Sequence, residues 1–336
     1  MINTAIIGMG FIGNVHAEAH TKFKGVNLKA IVEKNEKIGH AEAEKYNVRY
    51  YCNTEEMLKN EDIDLVVISL PTYLHEKYVI LSARYKKHIL CEKPVTFSLE
   101  SLTRMSEAAE AAGVKFMTGQ CLRFWPEYQY IKNMYDSGSL GEVRAVYASR
   151  IAQHPDWTNW HIDPQKSGGC FFDFHIHDID YLRFLFGKVE SVYSIGFKSR
   201  SGCYDHVFTN IVFKNNIKAV AEASYEVQSH YPFTSGIRIH GEKTTLEHIF
   251  KTGFNIKNTK DNFRSTTIFF ENNNPKVLEF EQSNAFIAEI AYFVDCIEHD
   301  KPLGYANASD IREVLKVMLA AKKSLETGQV VKLYSI

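Results

Sequence analysis

Thr4-Ala5-Ile6-Ile7-Gly8-Met9-Gly10-Phe11-Ile12-Gly13, near the start of the chain, decides the prediction of its fold. The apolar first half predicts a buried strand, and residues 15–23 can form a helix. The spacing G-x-G-x-x-G between them allows a tight turn and lets backbone amides approach a pyrophosphate at the helix N-terminus. Because the motif stands in the first strand–turn–helix unit, it favours dinucleotide binding over a merely tight turn. The predicted cofactor contacts in this loop are Gly8, Gly10, Phe11, Ile12 and Gly13.

The next strand predicts which nicotinamide cofactor is bound. Leu28-Lys29-Ala30-Ile31-Val32 ends at Glu33, about twenty residues after the last glycine of the motif. An acid at this place would accept hydrogen bonds from the ribose hydroxyls of the adenosine and would repel a 2′-phosphate. NAD is therefore favoured over NADP. Two alternatives stay open: Lys34 could tolerate a phosphate, and Glu33 could be only a solvated charge at a strand end.

Strands and helices continue to alternate up to about residue 120. The strands predicted there are 48–51, 64–69, 87–91 and 114–118, with amphipathic helices between them. Such strands form a parallel sheet that helices cover on both faces. Ligands of these sheets bind at the carboxyl ends of the strands. Pro71 and His75, after one strand, and Glu92 and Lys93, after the next, are therefore predicted to lie on the cofactor side.

The stretch Ile89-Leu90-Cys91-Glu92-Lys93-Pro94 reads as a buried strand that ends at a helix entrance. Pro94 disfavours helical geometry at Lys93, so the lysine is predicted to be held extended at the strand end. An ordinary strand-end turn is the structural alternative. The place of Lys93 at the carboxyl edge of a dinucleotide-binding sheet favours a catalytic role for its side chain.

From residue 121 the pattern changes, and we predict two domains, residues 1–120 and residues 121–336. After a strand predicted at 143–151 comes a loop with several aromatic residues that carry polar atoms. Rings can cover the C–H faces of a polyhydroxylated ligand while polar groups meet its hydroxyls. Trp157, Trp160 and His161 are therefore predicted to contact such a substrate. The alternative is a loop that its aromatic side chains merely hold in place.

A helix is predicted from about Cys170 to Phe186, with Asp173 and His177 four residues apart on one face. A histidine with a carboxylate one turn away is suited to proton transfer, because the acid orients the imidazole and raises its basicity. His175 lies on another face and is predicted to be structural. A metal site at His175, His177 and Asp178 is the other interpretation, but helical residues two apart point about 200° away from each other. We therefore predict no metal.

Beyond residue 187 the hydrophobic period becomes two, which is typical of strands. Strands are predicted at 189–198, 206–214, 217–227, 235–240, 244–250 and 264–270, and helices at 285–299 and 308–327. Residues 217–227 carry mainly small side chains on one face, which would let helices pack closely. The predicted fold class is α/β, with an N-terminal doubly wound parallel sheet of the Rossmann type and a C-terminal α/β domain whose open sheet is largely antiparallel.

Composition excludes several classes of function. The 336 residues carry a net charge of −1 with both signs interspersed, so no basic surface for nucleic acid is indicated. No apolar run is long enough for a membrane span, and the N-terminus lacks the features of a secretory signal. The six cysteines are scattered without a C-x-x-C pair. We therefore expect a reduced, cytoplasmic protein without structural zinc.

The chain resembles the Gfo/Idh/MocA family of nicotinamide-dependent oxidoreductases, which includes glucose–fructose oxidoreductase and inositol dehydrogenase. The resemblance extends over nearly the whole length and rests on the order and spacing of several motifs. These are the N-terminal G-x-G-x-x-G, Pro71 with His75, Glu92-Lys93-Pro94, Arg123-Phe124, and Gly169-x-x-x-Asp173-x-x-x-His177.

This resemblance implies an NAD(P)-dependent dehydrogenase that transfers a hydride to or from a secondary alcohol carbon of a sugar, a polyol or a related compound. It also implies a homodimer or homotetramer formed through the open C-terminal sheet. Lys93, Asp173 and His177 match the catalytic set of the family and are predicted to contact the substrate, as is Arg123.

We expect His177 to remove the hydroxyl proton as the hydride leaves, Asp173 to orient His177, and Lys93 to stabilise the developing alkoxide. Lys93 could instead be the base, because burial lowers the pKa of a lysine. Two other functions stay open. One is transient use of tightly held NAD to cleave glycosides or to shuttle hydride between sugars, and the other is a dinucleotide-binding sensor without chemistry. The complete set of proton-transfer groups favours an enzyme over a sensor.

Overall fold

The structure is a computed structural model that describes residues 1–155, 160–228, 230–253, 264–271, 274–280 and 283–335. The chain divides into two compact units. The first unit consists of Met1–Phe124 with Ser283–Arg312, and the second of Trp125–Gln282 with Glu313–Ile336. The return of Ser283–Arg312 to the first unit differs from the uninterrupted division at residue 120 that the sequence suggested. The physical reason is that Ile290, Phe293 and Val294 are buried in the same core cluster as Ile6 and Leu90.

The described strands form two sheets. In chain order they are β1 (Ile2–Ile7), β2 (Val26–Val32), β3 (Arg49–Tyr51), β4 (Leu65–Ile68), β5 (His88–Cys91), β6 (Phe116–Thr118), β7 (Val143–Ile151), β8 (Val189–Lys198), β9 (Tyr204–Phe213), β10 (Lys218–Ser224), β11 (Phe233–Gly241), β12 (Thr245–Thr252), β13 (Arg264–Glu271), β14 (Asn274–Leu278) and β15 (Val331–Lys332).

Each unit contains one of these sheets. The first unit holds a six-stranded sheet in the order β3-β2-β1-β4-β5-β6, and all of its pairings are parallel. The second unit holds a nine-stranded sheet in the order β14-β13-β12-β11-β7-β10-β9-β8-β15. There the pairing of β7 with β10 is parallel and the other pairings are antiparallel. The predicted fold class is therefore confirmed.

Helices surround the parallel sheet and cover one face of the mixed sheet. They are α1 (Phe11–Lys22), α2 (Glu36–Tyr46), α3 (Thr54–Asn60), α4 (Thr72–Arg84), α5 (Leu99–Ala112), α6 (Pro126–Asp136), α7 (Gly169–Asp173), α8 (His175–Phe186), α9 (Ala285–Glu298) and α10 (Ala308–Thr327). The small residues Ala219, Ala221 and Ala223 of β10 are buried, and α8 packs on this strand, as predicted. No helix in the described part of the chain is both long and apolar enough to cross a membrane.

The register of the parallel sheet aligns the strand ends that matter for the site. Ile7 pairs with Val32 and with Ile68, and Ile68 pairs with Cys91. The carboxyl ends of β1, β2, β4 and β5 therefore lie at one edge of the sheet. The glycine loop, Glu33, Pro71 and the Glu92-Lys93 turn all leave the sheet at this edge, which is where parallel sheets bind ligands.

The predicted continuous helix 170–186 is wrong at one residue. Phe174 separates α7 from α8, with φ −97° and ψ −49°. The N–H of His177 donates to the carbonyl oxygen of Phe174, three residues earlier, at 3.1 Å, so the chain tightens there. A common face for Asp173 and His177 therefore no longer follows from regular helical spacing alone. The exposure of the two side chains is independent evidence on whether they share a face.

Candidate active site

Two of the three motif glycines are required by the fold itself. Gly8 has φ +94°, which an L side chain rarely adopts, and a Cβ there would lie 2.7 Å from the carbonyl oxygen of Ser69. A Cβ on Gly13 would lie 2.0 Å from the carbonyl oxygen of Gly8. The glycine turn therefore packs too closely, against Ser69 at Gly8 and against Gly8 itself at Gly13, for a side chain at either position.

Gly10 is different, because no part of the described chain requires a glycine there. Its backbone has φ −71° and ψ −162°, which any residue adopts, and a Cβ would meet nothing within 4 Å. Gly10 is also the N-cap of α1, and no side chain caps the helix. A bare helix N-terminus with open space above it fits an anion that approaches the backbone. The loop therefore fits the pyrophosphate of a dinucleotide.

Glu33 is held next to this loop by both carboxylate oxygens. Its Oε2 accepts a hydrogen bond from the N–H of Met9 at 3.0 Å, and its Oε1 accepts one from the N–H of Asn35 at 2.9 Å. The hydroxyl of Tyr50 donates to the carbonyl oxygen of Glu33 at 3.0 Å. Because each carboxylate oxygen has two lone pairs, the fixed carboxylate can still accept ribose hydroxyls. This placement fits the predicted preference for NAD.

Pro71 and His75 belong to the start of α4. Pro71 is its N-cap residue, and His75 is fully buried. The two ring nitrogens of His75 lie 2.6 Å from the carbonyl oxygen of Leu70 and 3.2 Å from that of Val95. Burial lowers the pKa of His75. The ring thus links the segments that follow β4 and β5, while a direct cofactor contact from it stays a prediction.

Glu92 points inward. Its Oε1 lies 2.8 Å from Nε2 of the buried His16, and its Oε2 accepts a hydrogen bond from the N–H of Lys93 at 3.0 Å. Lys93 is partly buried, and its peptide bond to Pro94 is cis. The carboxylate therefore fixes the backbone of the lysine. The predicted contact of Glu92 with the cofactor is not tested by this geometry.

Arg123 has a different environment from the one that its predicted substrate contact suggests. Its side chain is fully buried and forms an ion pair with Asp310, and the Asp310 carboxylate also accepts a hydrogen bond from the N–H of Ala306 at 3.0 Å. The guanidinium thus anchors the start of α10 within the first unit. Sequence alone could not show this, because the two charges lie 187 residues apart. A substrate contact from Arg123 stays a prediction.

Asp173 and His177 are the accessible positions of a buried segment. Among residues 169–182, all of which the structure describes, these two are partly exposed and every other residue is buried. Their side chains therefore reach the surface from adjacent turns, although Phe174 interrupts the helix. His175 is buried instead, with Nε2 2.8 Å from Oγ1 of Thr209, and burial lowers the pKa of its imidazole to about 3. A structural role for His175 fits this environment.

Asp173 has partners that the sequence did not reveal. The hydroxyl of the buried Tyr225 donates a hydrogen bond to its Oδ2, and Nε2 of His161 lies 3.9 Å from the same oxygen. Burial, followed by the charge of Asp173, raises the pKa of Tyr225 well above its usual value. The ring of Trp160 lies against that of His161, with 4.0 Å between centroids. His161 thus lies near Asp173 and Trp160 lies against His161, while their contact with a substrate stays a prediction; Trp157 lies outside the described residues.

Two further polar residues surround Tyr225. The N–H of Tyr225 donates to the carbonyl oxygen of Asp205 at 2.8 Å, and Oδ1 of Asp205 accepts the N–H of Cys170 at 3.0 Å. Nε2 of His154 lies 3.9 Å from Oδ2 of Asp205, and its ring is 5.3 Å from that of Tyr225. Two histidines, two carboxylates and one phenol are therefore gathered beside α7. Such a group can orient a polar ligand and move a proton.

Comparison with known proteins identifies both units. Residues 2–120 match a family model described as an oxidoreductase family with an NAD-binding Rossmann fold, and residues 128–247 match the model of the GFO/IDH/MocA C-terminal domain. The chain is 28% identical to the myo-inositol 2-dehydrogenase of Thermotoga maritima, over 98% of both chains. It is 29% identical to the 2,7-anhydro-N-acetylneuraminate hydratase of Escherichia coli, over 58% of this chain and 53% of that one.

A solved structure shows the same fold. The aldose-aldose oxidoreductase of Caulobacter crescentus, complexed with glycerol, superposes with a TM-score of 0.87 at 22% identity, and the match covers 98% of this chain and 99% of that one. The two family models confirm the resemblance that the motifs indicated.

Proposed function

This chain belongs to the GFO/IDH/MocA family of NAD-binding oxidoreductases, and from this premise we propose that it is a dehydrogenase that oxidises a secondary alcohol carbon of a sugar or polyol. The nicotinamide cofactor would supply the hydride acceptor. The observation that carries the proposal is the contrast among the motif glycines. Gly8 and Gly13 are glycines because the fold has no room for side chains, whereas Gly10 has room and an ordinary backbone conformation. Its missing side chain is explained by a ligand that approaches the backbone.

We assign the adenosine ribose to Glu33, whose carboxylate is fixed beside the loop by the N–H groups of Met9 and Asn35. A negative charge there favours NAD over NADP, because it repels a 2′-phosphate.

The proton transfer is assigned to His177, with Asp173 as the carboxylate that orients it. The two residues are the partly exposed positions of their segment, which supports their access to a ligand. General-base help from such a group is worth about 10²–10⁴-fold in rate. The ammonium of Lys93 would stabilise the developing alkoxide, an effect of about 3–4 kcal/mol for one well-placed donor. The competing assignment, in which Lys93 takes the proton, predicts that turnover survives in His177→Ala.

A substrate panel tests the proposal most directly. Polyols, sugars, sugar acids and amino sugars are each mixed with NAD or NADP, and the absorbance of the reduced nicotinamide is followed. We expect net reduction of NAD with at least one polyhydroxylated substrate. His177→Ala should abolish turnover and leave NAD affinity nearly unchanged, whereas the surface variant His299→Ala, on an exposed residue, should behave as the wild type. Equal turnover in the two variants would refute the assignment of His177.

The substrate class follows from the side chains around Asp173. Trp160, His161, His154 and Tyr225 present rings and polar atoms together, which suits a ligand with alternating C–H and O–H groups. The relative from Thermotoga maritima is a dehydrogenase of myo-inositol, a cyclic polyol. We therefore place cyclic polyols and sugar rings first in the panel.

A second function is favoured by one comparison. The relative from Escherichia coli is a hydratase, so a chain similar to this one does not carry out a simple dehydrogenation. In that case this chain would use NAD transiently, and substrate would be converted without accumulation of NADH. Product analysis by mass spectrometry at constant nicotinamide absorbance distinguishes the two functions.

We also propose that the second unit forms a homodimer or homotetramer through one face of its sheet. Following the paired residues across the strands places six exposed apolar side chains on the same face. They are Tyr193, Ile195, Phe197, Ile249, Phe270 and Val277. An apolar face of this kind on a soluble enzyme is typical of an interface. Phe197→Asp, at a residue that is 66% exposed, should lower the mass measured by light scattering. An unchanged mass, or a monomeric wild type, would refute this interface.

The location in the cell is proposed to be the cytoplasm, where NAD and free thiols both occur. All six cysteines are free thiols, which fits a reducing compartment. Cell fractionation with an antibody against the protein tests this.

A further inference from the structure

A buried polar cluster lies behind the Glu92-Lys93 turn, and we call it the Glu289 cluster. It consists of His16 on α1, Glu92 after β5, Gln120 after β6 and Glu289 on α9. Their exposed fractions are 0%, 6%, 1% and 0%. Neither the cofactor loop nor the proton-transfer residues account for the presence of two carboxylates at such depth.

The contacts within the cluster form a chain that ends at the backbone of Lys93. The N–H of Gln120 donates to Oε1 of Glu289 at 2.8 Å. Gly119, the preceding residue, is so close to Glu92 that a Cβ on it would lie 3.2 Å from Oε1. Oε1 of Glu92 is 2.8 Å from Nε2 of His16, and Oε2 accepts the N–H of Lys93.

The two helices of the cluster fix its geometry. Phe286 and Glu289 lie three residues apart on α9, and the Phe286 ring packs edge-on against the ring of His16 at 5.2 Å between centroids. Nδ1 of His20, one turn after His16, donates a hydrogen bond to the carbonyl oxygen of His16 at 2.7 Å. Helices α1 and α9 contact each other, so the elements that carry His16 and Glu289 are neighbours.

The two carboxylates are not equivalent. Glu92 has both oxygens engaged, one with a histidine nitrogen and one with a backbone N–H. Burial, and then the neighbouring charge of Glu92, raises the pKa of Glu289 well above its ordinary value of 4.5. Burial also lowers the pKa of His20 to about 3, so His20 adds no charge. The raised pKa of Glu289 favours its protonated form, and His16 and Glu92 are the ionisable groups that face it.

Several atoms of the cluster have no hydrogen-bond partner among the described residues. These atoms are Oε2 of Glu289, both side-chain polar atoms of Gln120 and Nδ1 of His16. Buried polar groups are normally satisfied, and ordered water is the usual partner where protein is not. The described residues therefore satisfy the buried polar atoms of the cluster only in part.

We propose that Glu289 is a positioning residue for Lys93, which it holds in place through the Glu92 carboxylate beside it. In its neutral form Glu289 does not repel Glu92, so that His16 and the N–H of Lys93 keep the Glu92 carboxylate in one orientation. Deprotonation of Glu289 would put a second negative charge into the pocket and displace the turn. The role of Lys93 in turnover rests on the function proposed above, whereas the protonated state of Glu289 does not.

The test compares two substitutions at Glu289. Glu289→Gln keeps the shape and the acceptor for the Gln120 N–H and has no proton to lose, so kcat should stay within about twofold of the wild type at pH 7. Its activity should also persist to higher pH than that of the wild type. Glu289→Met removes the acceptor, and displacement of the turn by about 1 Å should lower kcat about 10²-fold. Asp295→Asn, at an exposed position on the same helix, is the matched control and should change neither kcat at pH 7 nor the pH range of activity.

Infrared spectroscopy provides a readout that does not require turnover. The carbonyl stretch of a buried protonated carboxyl should be present in the wild type at pH 7 and in Asp295→Asn, and absent in Glu289→Gln. If no substrate is turned over, this band still decides the protonation of Glu289, so failure of the proposed function is distinguishable from failure of this inference. A band that survives in Glu289→Gln overturns the proposal. So does a loss of kcat in Glu289→Gln as large as that in Glu289→Met.

Discussion

Replacing Gly10 by alanine separates the requirements of the fold from those of a bound dinucleotide. In the protein alone the new methyl group meets nothing within 4 Å, and the backbone at Gly10 is in a conformation that alanine adopts. The expected loss is that of glycine to alanine at a helix N-cap, less than about 1 kcal/mol of unfolding free energy.

The cost to the ligand is larger. A phosphate oxygen that accepts a backbone N–H lies about 2.9 Å from the nitrogen. A methyl group on the same residue then overlaps the phosphate or pushes it away from the loop. Overpacking of one methyl group costs about 1–3 kcal/mol, which corresponds to a rise in the dissociation constant of NAD of about 5- to 150-fold.

The assay pairs titration calorimetry with NAD and urea unfolding without it. Gly13→Ala serves as the contrasting variant, because its Cβ would lie 2.0 Å from a backbone oxygen and should lower both stability and affinity. The reasoning fails if Gly10→Ala binds NAD as tightly as the wild type. It also fails if this variant loses as much stability as Gly13→Ala, since the space above Gly10 would then have another cause.

Three further results are expected. Glu33→Ala removes the charge that would repel a 2′-phosphate, so the ratio of kcat/KM for NADP over NAD should rise about tenfold or more in parallel steady-state assays; an unchanged ratio would contradict the ribose assignment. Asp178→Ala removes the carboxylate that pairs with the buried Arg150, so the unfolding free energy measured in urea should fall by about 3–5 kcal/mol. The double variant Asp178→Leu with Arg150→Met removes both charges and should recover most of the lost stability. Burial lowers the pKa of His175 to about 3, so between pH 6.5 and pH 3 the unfolded chain binds a proton at this residue that the folded chain does not. The unfolding free energy should therefore be unaffected by His175 above pH 6.5 and should fall by about 1.4 kcal/mol per pH unit from there toward pH 3. His175→Gln should remove the contribution of one proton from the slope of the unfolding free energy against pH. An unchanged slope would show that His175 titrates normally in the folded state.

The fold could be predicted because its strands carry their pattern locally. The buried strands of the first sheet are continuous apolar runs, and β8 and β9 alternate with period two. The two strands that were not predicted lack such a pattern. β14 is an exposed edge strand with Pro275 in it, and β15 has two residues. Pairing with a neighbour, rather than their own sequence, makes these segments extended.

The site could be predicted only where spacing carries the information. The glycine loop, Glu33 and Lys93 lie at the carboxyl edge of the sheet where the pattern placed them, and their roles stay predictions. Partners across the chain gave no local signal. Tyr225 lies 52 residues from Asp173, and Glu289 forms its hydrogen bond 169 residues from Gln120. A lone tyrosine at a strand end or a glutamate in an amphipathic helix is common, so nothing in the sequence marks either one.

A long separation in sequence also explains why the ion pair of Arg123 was not predicted. The family pattern suggested a substrate contact for this residue. A charged residue is usually exposed, and its burial depends on a partner that only the tertiary structure supplies. In this chain that partner, Asp310, comes from the segment that returns to the first unit.

The return of Ser283–Arg312 to the first unit also determines when that unit can finish folding. Its core needs Ile290 and Phe293 next to Ile6 and Leu90, and residues 125–282 are synthesised in between. A growing chain therefore carries an unfinished, apolar nucleotide-binding unit until nearly all of it has left the ribosome. A truncation after residue 124 would expose the apolar surface that α9 covers and would favour aggregation. In chain order, the second unit is thus an insertion between the two parts that form the core of the first.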